Sequence, residues 1–210
     1  MRRLLGGSAI LAVLAGTLAG GVATAAAEPS TEAQPLVSSS VVINELSTRG
    51  PNGATDEFIE IRNVSNRAQD LTGYTIRVYG PSNNVIDTIA LPAGMVLQPK
   101  GNPGQFVVLT GQNFSGTISD QTNVVPFFLA GPEGIPANGG VAVFSQTGTK
   151  VDGVAFNAAA STPREGQAAL PETAATEQLA AASARDILST DTDNNRVDFS
   201  LHQRTPGMEN

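Results

Sequence analysis

The run Glu57-Phe58-Ile59-Glu60-Ile61-Arg62 alternates with a period of two, setting Ile59 and Ile61 on one face and Glu60 and Arg62 on the other. That is the pattern of a half-buried β-strand. Upstream, Val41-Val42-Ile43-Asn44-Glu45-Leu46 is a β-branched run closed by the turn-forming Ser47 to Gly53. Downstream, Leu71 to Tyr79 alternates through Tyr74, Ile76 and Val78, and Gly80 to Asn84 turns the chain into Val85 to Ile89. Further strands are expected at Gln105 to Leu109, Gly140 to Phe144 and Lys150 to Ala155. Short strands separated by Gly/Pro/Asn turns predict an antiparallel sandwich or barrel. No segment between 41 and 155 carries a strong 3.6-residue apolar repeat.

The composition narrows the chemistry. There are no cysteines among the 210 residues, so disulfides, thiolate zinc sites, iron–sulfur clusters and thiol nucleophiles are excluded. One histidine excludes poly-His metal sites. Twelve basic against nineteen acidic residues, a net charge of −7, argue against nucleic acid as a partner.

At the N-terminus, Arg2 and Arg3 precede an uncharged Ala/Leu/Gly stretch from Leu4 to Val22. Ala23-Thr24-Ala25 and Ala25-Ala26-Ala27 then offer small residues at signal-peptidase spacing. Residues 1–27 therefore read as a secretory signal. Residues 28–40, rich in Ser, Thr, Glu and Pro, read as a disordered linker. The expected product is extracellular, with no membrane partner after cleavage.

Composition shifts after Asn157, and residues 158–210 read as an Ala-rich connector followed by a C-terminal tail. Glu172 to Ala182 carries good helix formers, Ser183 to Leu188 suggests a short strand, and Val197 to Phe199 a docking segment. Val124 to Leu129 is apolar enough to be a buried crossover between strands.

Three blocks, Val42 to Leu46, Asp56 to Asn63 and Asp70 to Ile76, match in order and spacing a known family. The chain resembles the lamin tail domain, in the form found in secreted bacterial proteins. The ending, with Arg185, Asp191 to Asn195, Asp198-Phe199, Thr205-Pro206-Gly207 and Asn210, resembles a tail that closes many of those members. The family commonly has Gly-Trp where this chain has Gly73-Tyr74. The resemblance implies an immunoglobulin-like antiparallel β-sandwich over 41–157, with the C-terminal extension docking on it, and no catalytic residues. Because such modules accompany extracellular nuclease and phosphatase domains in bacteria, an accessory or metal-assisted hydrolase module is the alternative reading.

The motif residues themselves read as structural. Asn63 suits a side-chain-to-backbone turn, and Gly73 a bulge or close backbone approach. Glu45 and Glu60 lie in apolar strands and need partners, for which Arg62 and Arg77 are available. Glu45, Asp56, Glu57 and Glu60 form a carboxylate group, but the chain has no Trp and only two Tyr to stack on a sugar. Asp198, Ser200 and His202 share a short segment with no nucleophile elbow, so His202 reads as an exposed tail residue.

Asp191-x-Asp193-x-Asn195 spaces oxygen donors as calcium loops begin, but Arg196 replaces the expected Gly and His202 the bidentate Glu. What remains is a looser calcium site of Asp191, Asp193, Asn195 and Asp198. Leu170-Pro171-Glu172-Thr173-Ala174 resembles a sortase signal without the apolar span that should follow. Asn63-Val64-Ser65 and Asn113-Phe114-Ser115 are glycosylation sequons. The sequence thus points to a secreted, non-enzymatic module that binds a cell-surface, protein or polysaccharide ligand. The loops Thr48 to Thr55, Gly80 to Asn84 and Gly111 to Gln121 are the candidate contacts.

Overall fold

The computed structural model describes residues 40–131 and 133–210. The expected signal and all but the last residue of the linker lie outside the described residues. The strands in chain order are β1 (Val41–Ser47), β2 (Phe58–Asn63), β3 (Gln69–Asp70), β4 (Thr75–Tyr79), β5 (Val85–Ala90) and β6 (Val96–Leu97). They continue as β7 (Phe106–Thr110), β8 (Val124–Pro126), β9 (Gly140–Phe144), β10 (Lys150–Ala155), β11 (Ala181–Ala184) and β12 (Ser200–Gln203). Two single-turn helices, α1 (Ala174–Glu177) and α2 (Asn195–Asp198), complete the elements.

One sheet has the order β12-β11-β1-β2-β7-β8, the other β10-β9-β4-β5, and β3 pairs with β6 in a small ribbon. Every pairing is antiparallel except β7 with β8, which is parallel. The two sheets share one apolar core. Ile43, Leu46, Ile59, Ile61, Val107 and Leu109 come from the larger sheet, and Ile76, Val78, Val141, Val143 and Val154 from the smaller. This is an all-β sandwich, one of the two forms the alternation predicts and the immunoglobulin-like one that the resemblance implies, with Ile59 and Ile61 inward. At about 25 cal/mol per Å² of apolar surface, each such side chain contributes roughly 1.5–3 kcal/mol.

A β-bulge interrupts β1. Ile43 pairs with Ile61 and Glu45 with Glu60, leaving Asn44 as the extra residue. The bulge changes the parity of the strand, so Val41, Ile43 and Leu46 all reach the core. Glu45 thereby lies opposite Glu60 on the outer face.

That outer face is also buried, and the tail covers it. β11 pairs with β1, and β12 pairs with β11. Residue 157 is therefore not the end of the sandwich, because 181–203 extends its larger sheet. The helical part expected within Glu172 to Ala182 is the single turn α1. Ala181 to Ala184 are small enough to lie flat against the neighbouring strands as β11, and all four are buried. The strand expected at Ser183 to Leu188 ends at Ala184, where Arg185 turns inward.

The long strand expected over Leu71 to Tyr79 is broken at Thr72 and Gly73. Asp70 Oδ1 accepts the Thr72 N–H at 2.8 Å, and Gly73 has φ +77°. A Cβ there would also lie 2.8 Å from Gln146 Cγ, the close approach that the glycine permits. Val124 to Leu129 divides rather than lying wholly buried. Phe127 is 3% exposed and packs in the core, whereas Phe128 is 71% exposed.

Candidate functional site

Glu45 and Glu60 do not meet the arginines expected for them. Glu45 accepts the Thr205 N–H at 2.9 Å and the Thr205 hydroxyl at 3.2 Å. Glu60 accepts the Gly207 N–H at 2.6 Å and the Asn44 side-chain amide at 2.7 Å. Arg62, fully buried, donates to Gln105, the Ile187 carbonyl, Ser189 and Glu209. Arg77 stacks on Phe144, 4.0 Å from the ring centroid. Asn210 closes the set by donating to the Arg185 carbonyl at 2.9 Å. The motif carboxylates on β1 and β2 and the closing motif Thr205 to Asn210 are two halves of one clamp.

Burial sets the protonation of this clamp. It pushes Glu60 up to about 8, with Glu45 adding to the rise, and pushes Glu45 up to about 7. Beside it, Asp56 is held below its ordinary value. Burial works against this, but the Ser115 hydroxyl, the Asn52 N–H and the Arg204 guanidinium outweigh it. Arg204 donates to Asp56 Oδ1 at 2.8 Å, to Ser47 Oγ and to the Arg49 carbonyl. Its guanidinium lies 5.7 Å from the Phe58 ring and 5.9 Å from Phe114.

A second polar centre gathers around Arg185, which is fully buried. It donates to the Ile43 carbonyl, the Thr190 carbonyl, both oxygens of Asp152, Asp191 Oδ1 at 3.3 Å and Asp198 Oδ2 at 2.9 Å. The Phe199 ring stacks 4.6 Å away. Burial opposes its charge, but Asp152, Asp191 and Asp198 outweigh it and hold the guanidinium above its ordinary value.

This arrangement takes Asn195 and Asp198 out of the expected calcium set. Asp191 and Asp198 do converge, but on the Arg185 guanidinium, and Asp198 also accepts from Thr192. Asn195 is spent on backbone. Its Oδ1 accepts the Ala155 and Glu165 N–H groups, and its Nδ2 donates to the Gly153 carbonyl. Asp193, at φ +54°, keeps a buried Oδ2 with no hydrogen-bond partner.

Sequence reading missed Asp152 and Glu165. Asp152, Glu165 and Asp191 each bring a carboxylate oxygen within 4.8 Å of the other two. Asp152 lies in a strand that reads as plain β10, and Glu165 in a connector, so neither carried a motif signal. Burial and the neighbouring Asp152 push Glu165 up to about 9, despite Lys150 at 3.1 Å.

Among the other expected residues, Ser200 and His202 touch at 2.8 Å on the exposed β12, while Asp198 gives its oxygens to Arg185 and Thr192. Asn63 is buried. Its Oδ1 accepts the Ser65 N–H and its Nδ2 donates to the Arg67 carbonyl, the turn expected of it. Glu172 of the sortase-like segment is buried and accepts the Thr48 N–H.

At one end of the sandwich two of the candidate loops join. Asn113 donates its backbone N–H to the Thr55 carbonyl, and Asn52 donates its side-chain amide to the Asn113 carbonyl. Beside them a cleft of about 310 Å³ is lined by Thr55, Glu57, Gln112 and Phe127 to Gly131. Glu57 accepts the Ile135 N–H at its base, and burial pushes it up to about 7. Gly80 to Asn84 instead holds the connector, through Asn83 accepting the Thr162 N–H.

The sandwich of two antiparallel-dominated sheets defines the class of protein. The chain belongs to the lamin tail domain family, whose model matches residues 34–193. The match ends before Thr205 to Asn210, the half of the clamp that closes over Glu45 and Glu60. A comparison with curated proteins finds no match.

Proposed function

We propose that this protein is a non-catalytic binding module that acts outside the cytoplasm and engages a glycan-bearing cell surface through the loop-end cleft. The observation that carries the reading is Phe128, 71% exposed at the rim of a cleft whose wall supplies Thr55 and Gln112. An exposed aromatic ring beside hydroxyl and amide groups suits the apolar face and hydroxyls of a sugar. The engagement of Glu45, Asp56 and Glu60 by the chain's own N–H and guanidinium groups supports a structural rather than a catalytic use of the carboxylates. The charged, then apolar, then small-residue pattern of residues 2–27 supports export.

The test is co-sedimentation of the purified protein with insoluble cell-wall glycans, comparing the parent chain with Phe128→Ala. The reading requires binding that falls about tenfold or more in the variant, with the melting temperature unchanged. Equal binding by both, or none by either, sinks it.

A further inference from the structure

The acidic cluster behind Arg185 holds more carboxyl groups than it has cations to pair them. Asp152, Glu165, Asp191, Asp193 and Asp198 surround Arg185 and Lys150. Five carboxyl groups thus share two cations in a largely buried place. Arg185 lies among Asp152, Asp191 and Asp198, and Lys150 pairs with one oxygen of Glu165. The other oxygen of Glu165, in a residue only 8% exposed, is buried with no hydrogen-bond partner. Asp193 Oδ2 is buried in the same condition. Unpaired buried carboxylate oxygen is costly, so its presence beside two further carboxylates points to a ligand.

We propose that a divalent cation of the calcium class binds between Asp152, Glu165 and Asp191, with Asp193 as a fourth donor. The donors are all carboxylate oxygens, which select a hard cation over zinc or copper. They come from β10, the connector and the tail, an irregular set that calcium tolerates and magnesium does not. The cation would tie residues 165 and 191 to the sandwich without touching the cleft at Phe128, so this site stands independently of the proposed ligand.

The test is titration of calcium chloride into chelator-treated protein at neutral pH, followed by heat and by melting temperature, with magnesium chloride in parallel. The expected result is saturable heat, a rise of several degrees with calcium and a much smaller response to magnesium. Glu165→Gln should keep the fold and weaken calcium binding about tenfold or more. Asp193→Asn should weaken it less, and serves as the second variant if Glu165→Gln does not fold. No saturable heat and no shift with either metal overturn the proposal and leave a proton shared by Asp152 and Glu165 in the place of the cation. A magnesium response equal to that of calcium, or a calcium response unchanged in both variants, overturns it as well.

Discussion

Glu45 and Glu60 stand directly opposite one another on paired strands, both fully buried, and each accepts a backbone N–H from Thr205 or Gly207. Like charges facing across a sheet repel. The pair is tolerated because burial favours the neutral carboxyls and the tail supplies donors from above.

The pair makes stability depend on pH. Glu45 and Glu60 are raised from an ordinary 4.5 to about 7 and about 8, and Glu57 is raised to about 7. A raised folded-state pKa contributes fully below the unfolded value and loses that contribution as pH rises through the folded value. The urea midpoint should therefore be higher at about pH 6 than at about pH 8.5. Glu60→Gln removes one titrating group while keeping an acceptor for Gly207. The difference between the two pH values should shrink, and an unchanged difference would show that this pair does not control it.

Removing the Arg185 charge should be severe. Arg185→Met keeps bulk but strands Asp152 and Asp198, whose carboxylates share that guanidinium. Breaking a buried pair from one side costs about 3–5 kcal/mol, so the variant should melt far lower or fail to accumulate. A loss under about 1 kcal/mol in a denaturant titration would refute the guanidinium's role as the organising charge.

Gly207 leaves no room for a side chain. Its φ is +80°, and a Cβ would lie 2.5 Å from the backbone nitrogen of Asp120. Gly207→Ala should cost about 1–3 kcal/mol from backbone strain alone and pull the N–H from Glu60. Amide hydrogen exchange should then show lost protection at residue 207 before any loss in β2 or β7.

Gly50 and Arg204 should be coupled. A Cβ on Gly50 would come within 2.1 Å of Arg204 Nη2, displacing the guanidinium from the Arg49 carbonyl. Gly50→Ala and Arg204→Ala should each destabilise. The double variant should be no worse than Arg204→Ala by more than about 0.5 kcal/mol, since both act on one contact. Full additivity in a thermal melt would refute the coupling.

The strands were legible because alternation such as Ile59/Ile61 against Glu60/Arg62 reports directly on which face is buried. Asn63 was legible because its turn is local. The partners of Glu45 and Glu60 were not, because a carboxylate in a strand says only that it needs a donor. Nothing nearby signals that a backbone N–H about 150 residues later will supply it. The bulge at Asn44 left no Gly or Pro to mark it. The Asp191 to Asp198 spacing carried a real hint of clustered charge, but local spacing could not reveal that Arg185 would sit among those acids. Asp152 and Glu165 are brought there by sheet pairing and by Asn195's hold on the connector.

The clamp also sets an order of events. Glu45 and Glu60 are translated long before Gly207, at sequence separations of 160 and 147 for their tail bonds. Until that late segment arrives, the first hairpin carries two facing carboxylates without their donors, and β1 lacks its β11 neighbour. Contacts this distant in sequence close slowly. The clamp and the larger sheet can therefore close only once residues 181–207 have been made.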